Sequence, residues 1–378
     1  MDSDGLPLMT TRCLLRLQVL LMVVGVLLLC QAASALAAVS SRFAYVTNKD
    51  DGTISMFAIN PADGALMALE PPQRAGGGPT SVAVHPCGCL AYVANMFTDN
   101  VFVYDIDPST GRLLFPAAAD HVAVRYGPNS VAVDPLGQFV YVTAATSNVP
   151  GDVDKVWMFK VAPTTGRLIA NGWVSAKGVG PTSVTVDPTG RFAYVTNKSS
   201  FSMTMYAINR PTGVLTSLGW VSAGQRPSAV TVDPTGRFAY VTNFTSWDIS
   251  MYAIHPATGV LTSLGPPVAA GAAPYSMTVD DTGRFAYVTN DHSDNVSMFH
   301  IDGTTGHLTR LGPAVKAGHL PTGVAVAGAY VYVVNGGGGS LTGSVSRYKI
   351  GATGLLTEIG SPVPTGNDPE AIAIGEFN

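Results

Sequence analysis

The sequence has little charge and little cysteine. Asp, Glu, Lys and Arg make up 12% of its 378 residues, the formal net charge is −4, and no basic cluster occurs. The lack of concentrated positive charge argues against a nucleic-acid partner. Two of the four cysteines, Cys13 and Cys30, fall near the N-terminus, and the remaining pair is too small for a disulfide framework. The fold must therefore be held by packing.

The N-terminus has the features of a secretory signal peptide. Arg12 and Arg16 precede an apolar run over residues 17–29, and residues 35–37 (Ala-Leu-Ala) fit a small-x-small cleavage site. The apolar run is too short to cross a bilayer comfortably, which favours a cleaved signal over a membrane anchor. We predict a signal peptide over residues 1–37, a secreted or periplasmic protein, and no membrane association after cleavage.

Internal repetition is the strongest pattern in the chain. The sequence Phe-Ala-Tyr-Val-Thr-Asn at 43–48 recurs at 192–197, 238–243 and 285–290, with weaker copies elsewhere. The repeated tyrosines lie 45 to 53 residues apart, the length of a four-stranded propeller blade. There are seven of them: Tyr45, Tyr92, Tyr141, Tyr194, Tyr240, Tyr287 and Tyr332.

A proline opens each predicted inner strand, and the order of strands predicts how the ring closes. The prolines are Pro79, Pro128, Pro181, Pro227, Pro274, Pro321 and Pro369. The strand of Tyr45 has no inner strand before it, and the inner strand at 370–374 has no tyrosine strand after it. We predict one all-β domain over residues 38–378, a seven-bladed β-propeller of four-stranded antiparallel blades. Its C-terminal strand completes the N-terminal blade and removes the exposed sheet edges.

The Tyr-Val-Thr-Asn strand, the Thr-Gly-x-Leu turn and the proline-led inner strand resemble the YVTN-repeat propellers and the lactonase family, which includes 6-phosphogluconolactonase-like proteins. The resemblance covers about residues 41–378 and implies the seven-bladed fold. It also implies lactone hydrolysis in a basic, polar pocket at the central channel, with histidine after the inner-strand proline in several members. Here those positions hold Thr80, Asn129, Thr182, Ser228, Tyr275, Thr322 and Glu370.

Small neutral residues at these positions and nearly uniform repeats favour a binding or scaffold protein over an enzyme, because a catalytic site needs one dissimilar, convergent cluster. Its partner would be a small ligand, a glycan or a protein at the loop face, and we expect a monomer without cofactor or metal. The alternative is a hydrolase of lactones or related cyclic esters. In that case Glu370 or His319 is the expected general base and Arg226 stabilises the oxyanion.

Other departures from the repeat are candidate ligand contacts. Tyr275 and Asp368 lie at the predicted channel mouth, and Phe244 and Trp247 fall in a loop after a tyrosine strand, where aromatic faces can bind sugars. The corresponding loop of the third repeat is longer and carries Asp152 and Asp154 among other residues. Long loops on a rigid scaffold often carry function, although they also drift neutrally.

One turn is unusual. His85-Pro86-Cys87-Gly88-Cys89 stands where other repeats have Asp-Pro-x-Gly-Arg. One imidazole and two thiols within five residues suit a soft metal. A disulfide between them would close a small, strained ring. A hairpin turn with oxidisable thiols is the simpler interpretation.

Cleavage of the signal peptide is directly testable. N-terminal sequencing of exported protein should find a mature chain beginning near Ala38. An intact, membrane-embedded N-terminus would contradict the prediction.

Overall fold

The computed structural model describes residues 41–115, 120–145, 154–338 and 342–377. They form seven antiparallel sheets, which we number as blades 1 to 7 from the blade of Tyr45 to the blade of Tyr332. The innermost strands of blades 1 to 7 are Pro369–Phe377, Pro79–Val84, Pro128–Val133, Pro181–Val186, Pro227–Val232, Pro274–Val279 and Pro321–Ala327. The second strands, in the same order, are Ser41–Asn48, Leu90–Asn95, Phe139–Ala144, Phe192–Asn197, Phe238–Asn243, Phe285–Asn290 and Tyr330–Asn335.

The outer half of each blade has a third strand and an outermost strand. The third strands are Thr53–Ile59, Asn100–Ile106, Lys155–Val161, Ser202–Ile208, Asp248–Ile254, Asn295–Ile301 and Thr342–Ile350. The outermost strand is continuous in blades 3 and 4, at Leu168–Ser175 and Leu215–Ser222. Elsewhere it is split in two: Leu66–Ala68 and Gln73–Arg74, Leu113–Leu114 and His121–Ala123, Leu261–Ser263 and Val268–Ala269, Leu308–Arg310 and Val315–Lys316, Leu356–Glu358 and Val363–Asn367.

The predicted ring closure is confirmed. The strand Pro369–Phe377 pairs antiparallel with Ser41–Asn48, with Tyr45 opposite Ala373 and Val46 opposite Ile372. The last residues of the chain therefore supply the innermost strand of the first blade. The predicted all-β fold of seven four-stranded antiparallel blades is confirmed with it.

The repeated tyrosines bond each blade to the next. Every one of the seven is fully buried, and burial raises the pKa of each phenol above its ordinary value. Each hydroxyl donates to the carbonyl of a turn glycine in the following blade, as Tyr240 does to Gly306 at 2.9 Å. Tyr332 of blade 7 donates to Gly64 of blade 1 at 3.0 Å, so the series closes on itself.

Two independent constraints, backbone conformation and space, require glycine in this turn. Gly306 has a φ of 77°, in the region that favours glycine, and a methyl group there would collide with the ring of Phe238. The Thr-Gly pattern of the sequence thus records close contact between neighbouring blades.

Ser41–Phe377 forms one compact unit. The predicted signal peptide over residues 1–37 lies outside the described residues, and its boundary stays a prediction. Among the residues that the structure describes, no helix is long and apolar enough to cross a membrane.

Deleting residues 367–378 should destabilise the whole ring. The deletion removes the innermost strand of blade 1, including Ile372 and Ile374, which pack against the apolar cluster shared with blade 7. The expected loss in unfolding free energy exceeds about 5 kcal/mol, because single large-to-small core substitutions already cost about 2–5 kcal/mol. Thermal unfolding measures it, with a chain lacking residue 378 alone as control. Equal melting of the two chains would contradict the closure.

Candidate functional site

A bulge in each inner strand determines where the residue after the proline points. In blades 2 to 5 the register shifts immediately after the proline, as between Pro181 and Ser183, so the intervening residue has no partner across the strand pair. Bulges re-aim side chains and often lie next to active sites. Here they release one side chain per blade toward the channel and the neighbouring blade.

In five blades that side chain is small and polar, and it bonds the next blade. Each donates to the carbonyl of the following blade's proline at 2.6–3.2 Å, forming five of the seven bonds that a complete inter-blade ring around the channel would have. The donors are Thr80, Asn129, Thr182, Ser228 and Thr322. Their small neutral side chains therefore have a structural role, and they say nothing against a catalytic site elsewhere in the channel.

The other two members of the series, Tyr275 and Glu370, bond each other. The Tyr275 hydroxyl donates to Oε2 of Glu370 at 2.9 Å, although the residues belong to blades 6 and 1. Thr322 and Gly323 of the intervening blade 7 are small, which leaves room for the contact. Burial and the Glu370 carboxylate raise the pKa of Tyr275 well above its ordinary value, so its hydroxyl stays a donor.

Lys49 completes the cluster. Its ammonium lies 2.7 Å from Oε1 of Glu370 and 3.2 Å from Oδ2 of Asp368. Burial would lower the pKa of Lys49, but the two carboxylates outweigh it and raise the pKa above its ordinary value. The Glu370 side chain is 13% exposed, so a charged carboxylate and a charged ammonium meet in a largely enclosed place.

The residue before each inner-strand proline adopts a left-handed conformation, with φ between 48° and 68°. Three blades use glycine there, whereas Arg226 and Asp368 are charged residues in the same conformation. Such backbone costs a non-glycine residue about 1–2 kcal/mol, and residues of this kind concentrate at functional sites. Arg226 lines the cavity at the channel mouth, and Asp368 pairs with Lys49.

Lys49, Arg226, Tyr275 and Glu370 line one cavity of about 420 Å³ at the channel mouth. The guanidinium carbon of Arg226 lies 5.5 Å from the Phe244 ring centroid, and the Phe244 and Tyr275 rings meet edge to face at 6.3 Å. The charged and aromatic residues that line the cavity are Lys49, Lys198, Arg226, Phe244, Tyr275 and Glu370. The volume lies within the range of small-molecule sites.

The cavity carries free positive charge on one side. Lys198 and Arg226 come from adjacent blades, are both exposed, and have no carboxylate within ion-pair distance among the described residues. Lys49, by contrast, is paired. Lys198 and Arg226 are therefore available to pair with an anionic group in the cavity.

Of the predicted site residues that the structure describes, four do not line the cavity: His319, Trp247, Asp154 and Asp368, whose carboxylate pairs with Lys49. His319 is exposed and pairs with Asp294 through Nδ1 at 3.1 Å, rather than lining the cavity with Glu370. Trp247 is 54% exposed. Asp154 is buried and accepts a hydrogen bond from the Gly180 amide, so it holds a loop in place. Asp152 lies outside the described residues.

Sequence reasoning missed Lys49 and Lys198 as site residues. Both follow the asparagine that ends a second strand, and Met96 and Phe244 of the cavity wall occupy the same position. Comparing that position across the seven repeats would have found them. Asp291 occupies this position as well; burial raises its pKa, and the Glu370 carboxylate adds to the effect.

The fold and the site define a propeller with a polar, charged cavity on its axis. Comparison with known proteins shows the family to which the chain belongs. The sequence profile of the seven-bladed β-propeller lactonases matches residues 29–124, 115–225 and 219–326. The chain belongs to this lactonase family.

Two curated relatives and one solved structure are similar to the chain. The 6-phosphogluconolactonase of Bacillus subtilis is 26% identical over 179 residues, 46% of this chain and 50% of the relative. That of Pectobacterium carotovorum is 27% identical over 155 residues, 40% and 45% of the two chains. The chain thus spans about half the length of the curated relatives it matches. The periplasmic gluconolactonase of Pseudomonas aeruginosa has the same fold, with a TM-score of 0.75, 18% identity and coverage of 90% and 100%.

These names overturn the sequence-based preference for a binding or scaffold protein, because all three are lactone hydrolases. The preference rested on the small neutral residues after the inner-strand prolines. Those residues hold the ring together, and the two exceptions, Tyr275 and Glu370, converge with Lys49 in a single dissimilar cluster.

Proposed function

We propose that the protein hydrolyses lactones in the cavity at the channel mouth. The observation that carries the proposal is the cluster of Glu370, Lys49 and Tyr275, in which a carboxylate is held between an ammonium and a phenol. A carboxylate can activate water, and an adjacent ammonium can stabilise the charge that develops on a carbonyl oxygen. Family membership and the names of the relatives support the same reaction.

The reaction proceeds in two steps. Glu370 accepts a proton from a water molecule as the water oxygen bonds to the lactone carbonyl carbon, and the carbonyl oxygen becomes an oxyanion. The tetrahedral intermediate then collapses, the bond between the carbonyl carbon and the ring oxygen breaks, and Glu370 returns the proton to the departing oxygen. The product is an open-chain hydroxy acid.

The bonds already present fit these roles. Glu370 uses one acceptor site on each oxygen, for Lys49 and for Tyr275, and a carboxylate has about four such sites in all, so it can still accept from water. An ammonium has three donors, and Lys49 uses two of them on Glu370 and Asp368, which leaves one for the oxyanion. Tyr275 acts as a positioning residue that orients the carboxylate.

The substrate is a sugar-sized lactone. Phe244 offers an aromatic face within the cavity, and the unpaired Lys198 and Arg226 offer an anchor for an anionic substituent such as a phosphate. We further propose that the reaction takes place outside the cytoplasm. The predicted signal peptide and the periplasmic neighbour support this location.

Lactone turnover tests the proposal, because each cycle releases one acid that a pH-stat records. Wild-type protein should hydrolyse gluconolactone or its 6-phosphate well above the buffer rate. Glu370→Gln should lower kcat/KM by about 10²–10⁴, the usual contribution of a general base. Lys49→Met should lower kcat by a similar factor. Lys198→Met should raise KM for the phosphorylated lactone alone.

A matched control lies on the same strand. Glu376 sits at the opposite end of Pro369–Phe377 and pairs with Arg42 at 2.8 Å, so Glu376→Gln removes a carboxylate without touching the cavity. It should keep wild-type turnover. Hydrolysis at the buffer rate by well-folded wild-type protein, or full activity in Glu370→Gln, would refute the proposal.

A further inference from the structure

The hairpin turn of blade 2 differs from the equivalent turns of other blades at three positions whose side chains interact with one another. In blade 4 the equivalent turn contains a chain of hydrogen bonds, in which Arg191 donates through Nε to Thr189 at 2.9 Å and the Thr189 hydroxyl donates to Asp187. The same chain of bonds recurs in blade 5. The geometry of this five-residue turn therefore brings the side chains of its first, third and fifth residues together.

In blade 2 these three positions hold His85, Cys87 and Cys89. The imidazole Nδ1 lies 2.9 Å from Sγ of Cys87, and the nitrogen and both sulfurs all lie within 4.8 Å of one another. The two cysteines are joined by a disulfide, and both are exposed. The geometry that collects three hydrogen-bonding groups elsewhere collects three soft metal ligands here.

The histidine is oriented as a metal ligand requires. Its Nδ1 accepts the Cys87 amide proton at 3.1 Å, so that nitrogen is unprotonated, and Nε2 donates to the carbonyl of Gly137 in blade 3 at 2.9 Å. Any side chain at Gly137 would collide with this ring. Donation of the second ring nitrogen to a carbonyl is the arrangement that fixes the tautomer of metal-binding histidines.

We propose that His85, Cys87 and Cys89 bind one Cu(I) ion when the disulfide is reduced. Two thiolates and an imidazole suit this soft cation, and Cu(I) accepts three ligands, whereas a tetrahedral Zn(II) site would need a fourth. The turn follows Val84, at the end of the inner strand remote from Thr80 and the channel mouth. The site is therefore separate from the proposed lactone cavity.

Reduction of the disulfide makes both sulfurs available as metal ligands. A dithiol reductant gives two electrons and two protons to the Cys87–Cys89 disulfide and becomes a disulfide itself, which leaves two protein thiols. Cu(I) then displaces both thiol protons and bonds to the two sulfurs and to Nδ1 of His85. The oxidised form offers a single imidazole and should not retain the ion.

Competition with a coloured Cu(I) chelator under anaerobic conditions tests the proposal on the full chain. Protein reduced with a phosphine should withdraw one Cu(I) per chain more than oxidised protein. Cys87→Ser and Cys89→Ser should each lose this binding, and His85→Ala should weaken it by about tenfold or more. Charge-transfer absorption from thiolate to metal should appear only with reduced wild-type protein.

The control is a variant carrying the turn of the other blades, His85→Asp, Cys87→Thr and Cys89→Arg. It keeps Cys13 and Cys30, so it also accounts for copper bound by those thiols. Equal Cu(I) binding by this variant and the reduced wild type, or by the oxidised and reduced wild type, would overturn the proposal. Stoichiometric binding of Zn(II) by protein that leaves Cu(I) with the chelator would overturn the assignment to copper.

Discussion

A buried tyrosine hydroxyl needs a hydrogen-bond acceptor, and for each of the seven repeated tyrosines the acceptor is the turn glycine of the next blade. An unsatisfied buried hydroxyl or carbonyl costs about 1–3 kcal/mol, so an incomplete ring would leave such groups at both ends. Closure satisfies them all, because Tyr332 reaches Gly64. The strand Pro369–Phe377 completes blade 1, so this blade also has a neighbour on each side.

The second ring of bonds, at the channel mouth, explains why the site lies where it does. Five blades use the residue after the inner-strand proline to hold the next blade, and blades 6 and 1 do not. Tyr275 and Glu370 instead turn into the channel, where Lys49 meets the carboxylate. The protein lacks two structural hydrogen bonds of about 0.5–1.5 kcal/mol each at the place where Glu370, Lys49 and Tyr275 meet. Under the proposed function, this is the exchange expected where stability and activity compete.

The repeat made the fold predictable, whereas the site was only partly so. Seven tyrosines and seven prolines, offset by one strand, were enough to predict the architecture and its closure. Glu370, Tyr275 and Arg226 stood out because they depart from the repeat, and all three line the cavity. Lys49 did not, because its importance depends on a carboxylate 321 positions away in the chain. His319 was misleading, since a nearby carboxylate, Asp294, fixes its ring outside the cavity.

The central claim is that Tyr275 and Glu370 serve catalysis, and that blades 6 and 1 lack the inter-blade hydrogen bond for this reason. A double variant, Tyr275→Ser with Glu370→Thr, gives both positions the residues used by other blades and can complete the ring. Lactone turnover and unfolding free energy should be measured on the same preparation. The account predicts turnover at the buffer rate together with stability equal to the wild type or about 1 kcal/mol above it. Turnover at the wild-type rate, or a loss of several kcal/mol in stability, would contradict it.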